Sequence, residues 1–121
     1  MTGLDTGTIT PNQKTYLTSV VQTAVKFLSN FLKVVPTTGN NILCSGDLAT
    51  CLSDVNVPIN DRTTGIPNSD LHLYIIYVND PNSSYLANAG WCSFYETESL
   101  LRPNFGRIKF NLGKMAATET S

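Results

Sequence analysis

Asp70-Leu71-His72-Leu73-Tyr74-Ile75-Ile76-Tyr77-Val78 is the stretch whose reading decides the fold. From Leu71 to Val78 every residue except His72 is apolar or aromatic. A run of that length without polar alternation predicts a strand covered on both faces. The turn formers Asn79-Asp80-Pro81-Asn82-Ser83-Ser84 end it. Leu86 to Phe94 predicts a second strand of more mixed character. It contains Gly90, a position that suits a bulge or a close backbone approach. Gly106-Arg107-Ile108-Lys109-Phe110-Asn111-Leu112 alternates cleanly. It should bury Ile108, Phe110 and Leu112 and turn Arg107 and Lys109 to solvent.

Upstream, Thr10-Pro11-Asn12-Gln13 is a helix start. Thr10 caps, Pro11 fits the first helical position, and Gln13 completes a capping box. Leu17, Val20, Val21, Ala24, Leu28, Phe31 and Leu32 then recur on one face. The helix is expected to run to about Lys33 and break before Val35-Pro36, because a residue preceding proline avoids the α region. From Pro11 to Leu32 it would measure roughly 33 Å. Asn41-Ile42-Leu43 is a short strand candidate. Cys44 to Pro58 and Asn60 to Ser69 read as loops, long enough to be functional or pinned by a bridge. Residues 1–10 read as a disordered or linker N-terminus, and residues 11–121 as the domain. The sum is an α+β fold: one long amphipathic helix packed on a three- to four-stranded mixed sheet.

Composition narrows the function classes. The chain has 121 residues, 41% of them apolar and 14% charged. That is enough for a real core, on a surface of hydroxyls and amides more than of charges. Such a surface suits a secreted or cell-surface protein. A net charge of −1 provides no field for nucleic acid. No apolar run is long enough to span a bilayer, and no secretory leader is visible at the start. Membrane association is therefore expected only through segments outside these residues.

Chemistry is sparse. The three cysteines, Cys44, Cys51 and Cys92, leave one over after any pairing. His72 is the only histidine, whereas a catalytic zinc site takes three protein ligands, most often with two or three histidines. A structural Cys₃His set from Cys44, Cys51, Cys92 and His72 lacks the short cysteine knuckle, and His72 reads better as a packed histidine. Neither a nucleophile elbow nor a phosphate-binding glycine loop is present, and Glu96 and Glu98 sit in a polar segment without an apolar pocket. Asn82-Ser83-Ser84 is a glycosylation triplet in an expected exposed turn.

Read together, these segments resemble the leishmanolysin family of zinc peptidases. Ala24-Val25-Lys26-Phe27-Leu28 through Leu32-Lys33-Val34 resembles the family's first helix and the segment after it. Cys51, Val57-Pro58, Gly65 and Asp70 to Ile75 resemble its run into a central strand. Ala87 to Cys92 resembles its edge strand, and Gly106 to Leu112 its last strand before the zinc-binding helix. The resemblance implies the upper subdomain of a zincin-type peptidase, a Cys51–Cys92 disulfide, and zinc in the full-length protein with none bound to this chain. It also implies that Leu86, Ala87, Asn88, Ala89, Gly90 and Trp91 hold extended peptide or protein substrate by strand addition. The family's His-Glu-x-x-His motif is absent from these residues, so no catalytic or metal residue is carried over. The expectation is a partial metalloendopeptidase domain, extracellular or on the cell surface and inactive alone. The other reading is a non-catalytic surface or adhesion module that retains half of the fold.

Overall fold

A computed structural model describes residues 2–5, 10–48, 51–97 and 100–114. Strand β1 (Thr2–Asp5) is followed by helix α1 (Pro11–Ser29), a 3₁₀ turn at Ser45–Leu48 and the short helix α2 (Ile59–Arg62). Strands β2 (His72–Val78), β3 (Ala87–Thr97) and β4 (Leu100–Asn111) complete the chain. The four strands form one sheet in the order β1-β2-β4-β3. β1 and β4 flank β2 in parallel, with Tyr74 opposite Thr2 on one side and Arg107 on the other. β3 returns antiparallel to β4, with Ala89 opposite Ile108. The architecture is the expected α+β one with a mixed sheet.

The apolar run of β2 is covered on both faces, as its composition requires. On one face Leu17 and Val21 of α1 pack with Ile75, Tyr77 and Leu112, joined by the half-buried Leu73, Ile108 and Phe110. The Tyr77 and Phe110 rings stack at 6.1 Å between centroids. On the opposite face Tyr74 and Phe105 meet Leu43, Leu52, Val57 and Cys92. The long loops between α1 and β2 are thus the second layer of the core.

Several expectations are corrected. Part of the stretch read as linker is strand: Thr2–Asp5 pairs with Tyr74 to Tyr77. α1 begins as read, with both capping-box bonds of Thr10 and Gln13 formed. It stops at Ser29, where the Asn30 N–H bonds back to the Leu28 and Phe27 carbonyls. Only Leu17 and Val21 of its apolar face are buried, and Val20, Leu28, Phe31 and Leu32 stay exposed. The Asn41 strand is a single bridge to Ile66. Arg107 and Lys109 do not simply face solvent. The Arg107 Nη1 donates to both Asp54 oxygens at 2.7 and 2.6 Å, and Lys109 Nζ donates to Asp54 Oδ2 at 3.0 Å. Burial raises the Asp54 pKa, but the bonds from Lys109 and Arg107 outweigh it and hold the carboxyl below its ordinary value.

Candidate functional site

β3 is the last strand in the sheet order, so among the described residues one of its sides pairs with β4 and the other has no strand beside it. The orientation of its backbone groups follows from one bond. The Leu86 carbonyl accepts from the Asn111 N–H at 2.8 Å, which turns Leu86 toward β4. Because a strand alternates, Asn88 and Gly90 also direct their N–H and C=O groups at β4. The same groups of Ala87 and Ala89 and the Trp91 N–H point away from the sheet, while the Trp91 carbonyl lies 3.6 Å from Cys51 Sγ. β4 agrees independently: the Leu112 N–H donates to the Val78 carbonyl at 2.7 Å, so even-numbered residues there face β2 and odd-numbered ones face β3. All of Leu86 to Trp91 is exposed, Leu86 by 59% and Trp91 by 68%.

Three features bound and anchor the regular stretch of this edge. At its downstream end the pairing shifts between Trp91, Ser93 and Phe94, a bulge that buries Cys92 and Ser93. Pro103 pairs with Phe94 at that irregularity, where its missing N–H is tolerated. Cys92 is bonded to Cys51, which ties the strand to the loop layer. At the upstream end the buried Asn111 side chain donates to the Asp80 and Tyr85 carbonyls at 2.8 and 3.1 Å and accepts from the Asp80 N–H at 3.0 Å. The close approach expected of Gly90 belongs instead to Gly106, the residue paired with Trp91 on β4. A Cβ on Gly106 would lie 2.9 Å from the Gly90 carbonyl oxygen, whereas one on Gly90 would meet nothing.

Beside the edge, on the helix side, runs an open apolar groove of about 370 Å³, lined by Leu71, Leu73, Ala89, Trp91, Pro103 and Ile108 among others. Trp91 and Phe94 meet edge to face, 6.4 Å apart. Asn82 lies exposed in the turn before β3. Cys44 is a free, exposed thiol.

His72 is packed rather than poised. It is buried, with the Tyr74 ring at 5.0 Å and the Phe105 ring at 5.9 Å, and burial pulls its pKa down to about 4. Tyr74 donates to Asp61 Oδ2 at 2.6 Å. Burial, and then that bond, push the phenol upward. Two of the three cysteines are bonded to each other, and among the described residues no three His, Cys, Asp or Glu side chains come together in a metal-holding group. Among the described residues no helix is long and apolar enough to cross a membrane.

Sequence reading missed the polar clamps. Asp61 gave no signal beyond being one aspartate in a loop. Arg102 gave none beyond being one arginine near a proline, yet it donates to the Asp70 and Val35 carbonyls at 2.7 and 3.1 Å. Asp70 also accepts from the Thr37 N–H at 2.7 Å. That bond is the largest cause of its lowered pKa.

The family model described as leishmanolysin matches residues 6–120. No curated protein matches the chain.

Proposed function

The chain belongs to the leishmanolysin family, and from that premise we propose that it serves peptide-bond hydrolysis by holding extended polypeptide along the free side of β3. In this reading the sheet and α1 are the upper subdomain of a zincin-type peptidase. The outward N–H and C=O groups of Ala87 and Ala89, with the Trp91 N–H, pair with the substrate backbone. Backbone pairing is indifferent to side chains, so it suits an enzyme that must grip many sequences. The small side chains of Ala87 and Ala89 leave room on the helix side, and Trp91 offers an exposed apolar surface there.

Hydrolysis in this family runs on zinc, which supplies an activated water. With one histidine in the sequence, and that one packed against two rings, the ligands for such a site have to come from other residues. The chain alone is therefore inactive in our reading. The Cys51–Cys92 bond favours an oxidising compartment, which supports placement outside the cell or on its surface.

The observation that carries the reading is the Leu86–Asn111 bond, because it fixes which groups of the edge are free. Proline scanning tests it. Ala89→Pro removes an outward donor and leaves the ladder to β4 intact, so it should weaken capture of an extended peptide at least tenfold with little loss of stability. Asn88→Pro removes a ladder donor and should lower the melting temperature. Equal peptide affinity for Ala89→Pro and the parent chain would exclude the edge as the binding element.

A further inference from the structure

The triplet Asn82-Ser83-Ser84 is the only Asn-x-Ser/Thr sequence with a non-proline centre in the chain. It is not part of the pairing surface of β3. Asn82 and Ser84 are both exposed, and the turn that carries them is held from beneath. The Asp80 carboxylate accepts the Asn82 N–H at 3.1 Å and, through its other oxygen, the Ser83 hydroxyl. The Asn111 side chain grips the Asp80 N–H and C=O from inside the sheet. None of these bonds uses the Asn82 side chain. Asn82 is exposed on this anchored turn, where an attached group has access to solvent.

From this geometry we infer that Asn82 is an N-glycosylation acceptor whose glycan stands at the Ala87 end of the edge strand. The inference rests on the extracellular placement proposed above, since the donor is met only in the secretory pathway. In the reaction the Asn82 amide nitrogen attacks the anomeric carbon of an oligosaccharide carried on a lipid pyrophosphate. The new N–C bond forms, the C–O bond to phosphate breaks, the lipid pyrophosphate leaves and the amide gives up one proton. The Ser84 hydroxyl is the second element that the transferase reads. A glycan there would shield the entry of β3, five positions before Ala87, and leave the Trp91 end open. An extended polypeptide would then extend past Trp91 more readily than past Ala87.

The test is to express the whole chain behind a cleavable signal peptide in a eukaryotic secretory host. Only chains that have lost the signal peptide, and so have entered the lumen, are scored by intact mass. The parent chain should carry one N-glycan that a peptide amidase releases, leaving aspartate at position 82. Asn82→Gln and Ser84→Ala should lose it completely, and Ser84→Thr should keep it. Processed parent chains without a glycan, or a glycan that survives Asn82→Gln, would overturn the assignment. The edge-strand reading fails separately, through loss of peptide capture in a chain that is glycosylated.

Discussion

The Tyr74 hydroxyl donates a 2.6 Å hydrogen bond to Asp61 Oδ2 between the sheet and the loop layer. Both residues are buried. A charged acceptor with a buried donor is among the costlier bonds to break from one side. Tyr74→Phe leaves the Asp61 carboxylate without this donor, and Asp61→Ala leaves the hydroxyl unsatisfied. Each is expected to cost about 1.5–3 kcal/mol, measured as a drop in urea midpoint at unchanged slope.

His72 makes stability depend on pH in a defined window. Its folded pKa of about 4 lies below the ordinary 6.5, so the folded state favours the neutral ring and the unfolded chain binds the proton more readily. Its contribution is fully present above pH 6.5 and is lost as the pH falls toward 4. The carboxyls held low, Asp54, Asp70 and Asp80, start from 3.8 and act only below that window. Denaturant titrations at pH 7.5 and 4.5 should therefore show a loss in the parent chain that His72→Phe largely removes.

The Cys51–Cys92 bond closes a separation of 41 residues. In the chain-entropy account a loop of that size contributes about 4 kcal/mol. Cys51→Ser with Cys92→Ser is expected to cost about that much, and adding reductant to the parent chain should reproduce the shift. The double variant should not respond to reductant.

Gly90 and Gly106, offset by one position across the edge ladder, should behave oppositely. Gly106→Ala forces a Cβ to 2.9 Å from the Gly90 carbonyl and 3.2 Å from Leu73 Cδ2, so the strands must separate. Overpacking of this kind costs about 1–3 kcal/mol. Gly90→Ala meets open space and should change the melting temperature little. Calorimetry on the pair checks the register of β3 directly.

The parts legible in the sequence are those whose signal is local. Thr10, Pro11 and Gln13 declare the start of α1 within four residues, and the unbroken apolar run from Leu73 to Val78 declares a strand covered twice. The end of α1 was obscured because Phe31 and Leu32 continue its apolar rhythm, while the Asn30 N–H ends it by a backbone bond that leaves no pattern. β1 is only four residues long, includes a glycine and an aspartate, and is defined by pairing with Tyr74 to Tyr77 far along the chain. Pro103 hid the first half of β4, since only the bulge opposite Phe94 makes a proline acceptable there. At the candidate site, the residues of the edge were readable but the side they face was not. Which N–H points outward depends on a one-residue register set by the Leu86–Asn111 bond.

That register is the core of the account, and amide hydrogen exchange reads it residue by residue. A ten-residue extended peptide of β-branched and small residues is added to the whole chain, and exchange is followed from Leu86 to Trp91. Ala87, Ala89 and Trp91 should exchange rapidly in the free chain and slow by tenfold or more when the peptide is present. Asn88 and Gly90, already bonded to β4, should be slow in both. Unchanged exchange at all three outward positions, or new protection confined to residues outside β3, would contradict the edge strand as the element that holds polypeptide.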